Sequence, residues 1–248
     1  LEKVGQVTDL SLEKEGGIKL EVSEEGIKLE ICNVAFNYPQ EQKLALKNIN
    51  LKIESKERVL ITGRNDSGKS TLLYLVSGLL SPTSGSISIE DIPINNFDFD
   101  HLRGHIGGYL RDENLFEGSL LENITLGREK ATIQNIKWAI EAVGLSGLIK
   151  RLPEGYNARI LPLGKQFSKS TVAKILIARA IVDKPRLLLL ENSFSVFSPD
   201  DRNDLLTFLF DRKHPWTVLM SSSQPVEMAK LIDRTIVLDN GVIITKNT

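Results

Sequence analysis

The sequence predicts an α/β fold built around a phosphate-binding loop, and three adjoining observations carry that prediction. The apolar run ERVLITG (57–63) ends in glycine, as a buried parallel strand does. Residues 63–70, GRNDSGKS, then fit the spacing G-x-x-x-x-G-K-[ST]. KSTLLYLVSGLL (69–80) follows with apolar residues at helical spacing and stops at the turn cluster SPTSG. Strand, glycine-rich loop and helix make one unit that offers backbone amides to phosphate.

The other elements are justified in chain order. The opening stretch to Gly26 is charged, lacks aromatics and contains Gly16-Gly17, so residues 1–26 read as a linker. IKLEICNVAF (27–36) and LALKNINLKI (44–53) alternate polar with apolar, as half-exposed strands do. From about 112 to 170 the character turns helical. Ile133, Ile136, Ile140 and Val143 fall on one face of ATIQNIKWAIEAVG, and a polar loop separates them from STVAKILIARAIV. This predicts an inserted helical subdomain. RLLLL (186–190) is a second buried strand, DLLTFLF (204–210) a helix and TVLMS (217–221) a third strand, and TIVLDNGVII (235–244) is a hairpin around Asn240-Gly241. Strands alternating with helices indicate an α/β sheet.

Composition removes several function classes. A single cysteine, Cys32, excludes an internal disulfide and a cysteine-rich zinc site. Lys and Arg number 31 against 32 Asp and Glu, so no global field draws the chain to nucleic acid. No apolar run approaches the roughly 18 to 20 residues that span a bilayer.

The chemistry of the loop follows from its residue types. Gly63 and Gly68 let the backbone close around phosphate, with Arg64, Asn65, Asp66 and Ser67 between them and Thr71 just after. Lys69 reaches the β- and γ-phosphates, and the Ser70 hydroxyl is suited to magnesium. The spacing supports a nucleotide binder, with ATP and Mg²⁺ as the expected ligands.

Beyond the loop, the chain resembles the nucleotide-binding domain of an ATP-binding cassette (ABC) exporter from about Ile27 to Ile244. The resemblance is carried by VAFNYP, SGLLSPTSGSISI, LRGHIGGYLRDENLFEGSLLENI, LPEGY, ILIARAIVDKPRLLLLEN and DRTIVLDNG, in that order. It implies a P-loop core with a mixed sheet, an antiparallel β subdomain and a helical subdomain. It also implies a linker that continues upstream of Leu1 into membrane helices. A transmembrane domain and a second nucleotide-binding domain are the implied partners, at the cytoplasmic face of a membrane. The family's adenine-stacking aromatic falls on Tyr38, its metal-orienting carboxylate on Glu191, and its signature serine on Ser168.

Several family positions carry unexpected residues. Asp66 replaces a glycine, and one carboxylate about 6 Å from a phosphate charge costs on the order of 3 kcal/mol at an effective dielectric near 20. Asn192 stands where a glutamate polarises water, and losing a general base costs about 10²- to 10⁴-fold. Ser223 replaces the switch histidine, and Arg111 replaces the glutamine that faces magnesium. Lys169 and Ser170 replace the two glycines of the signature motif, in which Lys169 can reach phosphate with its own charge. Ser198 replaces the aspartate of the following loop. The three histidines, His101, His105 and His214, read as surface residues. The chain is therefore expected to bind ATP with impaired hydrolysis. A transport motor, a regulatory ATP-binding module and a scaffold without nucleotide all remain open.

Overall fold

The computed structural model describes residues 16–244, except 22, 24, 40, 42, 112, 129–130, 192–193 and 223–228. The chain runs through β1 (Leu29–Phe36), β2 (Leu46–Ile53), β3 (Arg58–Thr62) and α1 (Lys69–Val76), then β4 (Ser84–Ile89), β5 (Ile92–Pro93), α2 (Phe99–Arg103) and β6 (Ile106–Tyr109). A mainly helical stretch follows: β7 (Gly118–Ser119), α3 (Leu120–Thr125), α4 (Ile133–Ala142), α5 (Ser146–Arg151) and β8 (Arg159–Ile160). Then come α6 (Lys169–Ile181), β9 (Leu187–Glu191), α7 (Pro199–Leu209), β10 (Thr217–Ser222), β11 (Arg234–Asp239) and β12 (Val242–Ile244).

Two sheets organise these elements. A six-stranded sheet has the order β12-β11-β3-β10-β9-β6, and an antiparallel sheet has the order β2-β1-β4-β5. The larger one is mixed: β11, β3, β10, β9 and β6 are parallel, and β12 closes one edge as a hairpin partner of β11. Its register sets Leu60 and Leu190 on either side of Met220. Asn240 (φ 49°) and Gly241 (φ 80°) turn that hairpin as the Asn-Gly pair predicts.

The central strands are apolar throughout because the larger sheet is covered on both faces. Along β9, Leu188 and Leu190 join a core with α3, α4, α6 and α7, while Leu187 and Leu189 join a second core with α1 and the antiparallel sheet. Alternate side chains of one strand thus feed two cores, which explains RLLLL as an unbroken run. In α4, Ile136 and Ile140 are buried as expected, but Ile133 is 72% exposed. It occupies the first helical position after the Thr132 cap, one turn short of the packed face.

The lead-in read as a linker is bonded to the domain where it is described. Ile18 bridges to Phe97. Its amide reaches Asn96 O at 2.8 Å, and its carbonyl accepts from Asp98 at 3.0 Å. Leu20 is buried. The shielded Arg186 guanidinium donates to Glu25 O at 2.6 Å, to Glu21 O at 3.2 Å and to Glu90 Oε1 at 3.1 Å. None of the three histidines stands free on the surface: all are half-buried. The His214 ring stacks on Trp216 at 4.2 Å, and His101 Nε2 lies 3.1 Å from Leu20 O. Among the described residues no helix is long and apolar enough to cross a membrane.

Candidate functional site

The loop after β3 closes on itself before α1 begins. Gly63 sits at φ 150°, and a Cβ there would meet the Leu238 carbonyl at 2.0 Å, so only glycine fits. Gly68, at φ 100°, precedes α1 without a side-chain cap. The first-turn amides of α1 are thus left for an anion. Asp66 takes the left-handed conformation at φ 60°, as a glycine would, so the loop keeps its turn. Its end is tied down where Gly241 N donates to Ser67 O at 3.1 Å.

A cavity of about 710 Å³ opens over this loop, room enough for a nucleotide. Tyr38, Asn65, Asp66, Gly68, Lys69, Ser70, Thr71, Arg111 and Glu191 all line it. Lys69 Nζ curls back onto Arg64 O at 2.6 Å, Gly63 O at 2.9 Å and Ser67 Oγ at 3.3 Å. Burial holds the ammonium below its ordinary value, and the carboxylates of Asp66 and Glu191 work against that effect. The ammonium stays a cation poised at the loop, able to trade carbonyl partners for phosphate oxygens.

Glu191, buried at the end of β9, joins two other segments. Its Oε1 accepts the Ser70 hydroxyl proton, and its Oε2 accepts the Arg111 amide at 2.9 Å. A hydroxyl that donates its proton keeps its lone pairs for a cation. Hydroxyl and carboxylate are hard oxygen donors, so the pair fits magnesium held jointly with phosphate oxygens. Among the described residues no group of three or more His, Cys, Asp or Glu gathers as an all-protein metal site. Among the described residues the charged lining is balanced: Lys43, Lys69 and Arg111 face Glu41, Asp66 and Glu191. A triphosphate would therefore find attraction mainly in the α1 amides and in a cation brought with it.

The remaining candidates lie elsewhere. Ser168, Lys169 and Ser170 do not line this cavity. Ser168 caps α6 by accepting from the Thr171 amide at 3.2 Å, and its hydroxyl lies 2.9 Å from both Ser170 Oγ and Thr171 Oγ1. Lys169 instead borders a second cavity of about 290 Å³ with Phe167, Leu163 and Val196. Asn192 and Ser223 fall outside the described residues. Ser198 caps α7, accepting from the Asp201 amide at 3.2 Å.

Several lining residues escaped the sequence reading: Glu41, Lys43, Ser221 and Asn240. For Ser221 a signal existed, since the carboxyl ends of parallel strands are where such sheets bind ligands. Glu113 was also missed. It accepts from Leu110 N at 3.2 Å, lies 3.9 Å from Arg179, and is raised to about 6 by burial.

Comparison with known proteins agrees with this geometry. The family described as "ABC transporter" matches residues 46–195. The chain is 32% identical over 221 residues to the uncharacterized ABC transporter ATP-binding protein YfiB of Bacillus subtilis, covering 89% of this chain and 38% of that protein. It is also 32% identical over 246 residues to the alpha-hemolysin translocation ATP-binding protein HlyB of Escherichia coli O157:H7, covering 98% of this chain and 34% of that one. Its fold matches a bacterial Atm1-family ABC exporter solved with ATP bound, with a TM-score of 0.85, at 23% identity and over 98% of this chain and 42% of that one. The chain thus spans less than half the length of each of these proteins. On the family match and these two relatives, this chain belongs to the ABC transporter family, as one of its ATP-binding domains.

Proposed function

We propose that the chain works as the nucleotide-binding domain of an exporter-type transporter, holding ATP with magnesium over the Gly63–Thr71 loop and hydrolysing it slowly. The observation that carries this is the convergence of Lys69, Ser70 and Glu191 under open α1 amides in a nucleotide-sized cavity. Magnesium, bound with the nucleotide, draws charge from the β- and γ-phosphates. The chain's own part is to hold Ser70 toward that cation through Glu191, and to place Lys69 and Arg111 near phosphate. The resemblance puts Asn192 where a base would stand, and a carboxamide accepts no proton from water. Lys169, on the separate α6 terminus, is suited to the phosphates of a nucleotide carried by a facing second domain. The partners on this reading are that second domain and a transmembrane domain, at the cytoplasmic face of a membrane.

One observation favours the alternative of a regulatory or scaffold module that binds nucleotide weakly. The balanced lining charge gives a highly charged triphosphate little net attraction from side chains.

Titration of the purified chain with ATP, with and without magnesium, separates the two. The proposal expects saturable binding that Lys69→Ala abolishes, with turnover below about 1 s⁻¹. Binding indifferent to Lys69→Ala would remove the loop from the account. Turnover at or above that rate would overturn the impaired-hydrolysis reading.

A further inference from the structure

Ser221 lies in a strand that is buried along its whole length and is itself 2% exposed, yet it borders the large cavity. β10 runs parallel between β3, which leads into the phosphate loop, and β9, which ends in Glu191. Ser221 is in register with Ile61 on one side and with Glu191 on the other. Two residues back, Leu219 packs into the same core as Leu187 and Leu189, while Val218 and Met220 enter the opposite one. The alternation of a strand therefore turns Ser221 to the face on which Glu191 meets Ser70. Among the described residues nothing bonds to its hydroxyl. A shielded hydroxyl without a partner is a cost to the fold that an accepting ligand would offset.

We infer that Ser221 is a further binding residue of this site, whose hydroxyl donates to the terminal phosphate of a nucleoside triphosphate and thereby favours triphosphate over diphosphate. This rests on the reading of the cavity as a nucleotide site. Ser70, Glu191 and Ser221 divide the work along this wall. The Ser70 proton is committed to Glu191, and both Glu191 oxygens already accept a donor, one from Ser70 and one from the Arg111 amide. Of the three, Ser221 alone keeps a proton uncommitted among the described residues, and a hydroxyl donating to an anionic oxygen makes a charge-assisted bond. A cation carried with a triphosphate lies on its last two phosphates, so a group beside the Ser70–Glu191 pair meets the terminal one. A diphosphate has no oxygen there and gains nothing from the hydroxyl.

The test compares Kd for ATP and for ADP, each with magnesium, on the whole chain, together with the melting point of the chain without nucleotide. Wild type should prefer ATP, and Ser221→Ala should shrink that preference by about tenfold, the worth of a hydrogen bond to a charged group. The melting point of Ser221→Ala without nucleotide should match or exceed that of wild type, since no partner is lost. Ser221→Thr keeps the hydroxyl and should retain the preference; its loss there too would overturn the inference by tying the effect to packing. An unchanged ratio in Ser221→Ala would overturn it, as would equal weakening of both ligands, which assigns the hydroxyl to a phosphate that ADP also carries. A lower melting point in Ser221→Ala would overturn it as well, by placing the hydroxyl in the bonding of the fold. Wild type binding ADP as tightly as ATP would remove this inference and leave the nucleotide site standing. Failure to bind either nucleotide would remove the site and the inference with it.

Discussion

Glu191 accepts the main-chain amide of Arg111 at 2.9 Å through one carboxylate oxygen while its other oxygen accepts a hydrogen bond from the Ser70 hydroxyl. A carboxylate is needed for both, because both partners are donors. Glu191→Gln leaves one acceptor oxygen and turns an amide donor toward the second partner. The gain in ATP affinity on adding magnesium should fall by about tenfold or more, since such supporting carboxylates tune metal affinity by that amount. ATP affinity measured in EDTA should hold or improve, because a negative charge has left the cavity. Calorimetric titration under both conditions reads the two effects separately.

Asn192→Glu combined with Ser223→His should raise phosphate release by about 10²- to 10⁴-fold if the absent base limits turnover. A colorimetric phosphate assay on the purified chain is sufficient. No gain would place the limitation in Lys169 and Ser170, or favour the scaffold reading.

Glu113 should make stability depend on pH. Burial raises it from an ordinary 4.5 to about 6, so the native state takes up a proton more readily than the unfolded chain. Stability from this group is present below about pH 4.5 and declines as pH rises through about 6, by up to about 2 kcal/mol. His214, lowered by burial beside Trp216, contributes a slope of opposite sign at acid pH in every variant. The difference between wild type and Glu113→Gln isolates the carboxyl. In urea unfolding from pH 5 to 7.5, the advantage of Glu113→Gln should grow with pH.

Ser198→Ala should destabilise the chain by about 1 kcal/mol, the usual cost of losing an N-cap, seen as a melting point lower by about 2 to 4 °C. Ser198→Asp, which caps equally well, should leave the melting point unchanged. An unaffected Ser198→Ala would mean that the neighbouring ion pair between Lys174 and Asp201, at 2.7 Å, suffices to start α7.

What the sequence disclosed follows from how local each interaction is. The Gly63–Thr71 loop was legible because its turn, its lysine contacts and its helix start lie within nine consecutive residues. The two-sided burial of β9 was legible in four consecutive leucines. Arg58 was not. It heads an apolar strand, and its guanidinium reaches the carbonyls of Phe210, Asp211 and His214, which only the completed fold brings near. Glu41, Lys43, Ser221 and Asn240 stayed hidden for the same reason, arriving at the cavity from separate turns and strand ends. The Glu113–Arg179 pair was invisible because a charged side chain reads as exposed until its surroundings are known.

The grip of Arg186 on the amino-terminal stretch bears on how this molecule can be cut for laboratory work. A version starting at Ile27 would strip two carbonyl acceptors from a guanidinium almost wholly shielded from water, and would uncover the site that Leu20 fills. Such trimming removes a wall of the building, and a shortened protein that unfolds early would report that damage rather than any weakness of the nucleotide site.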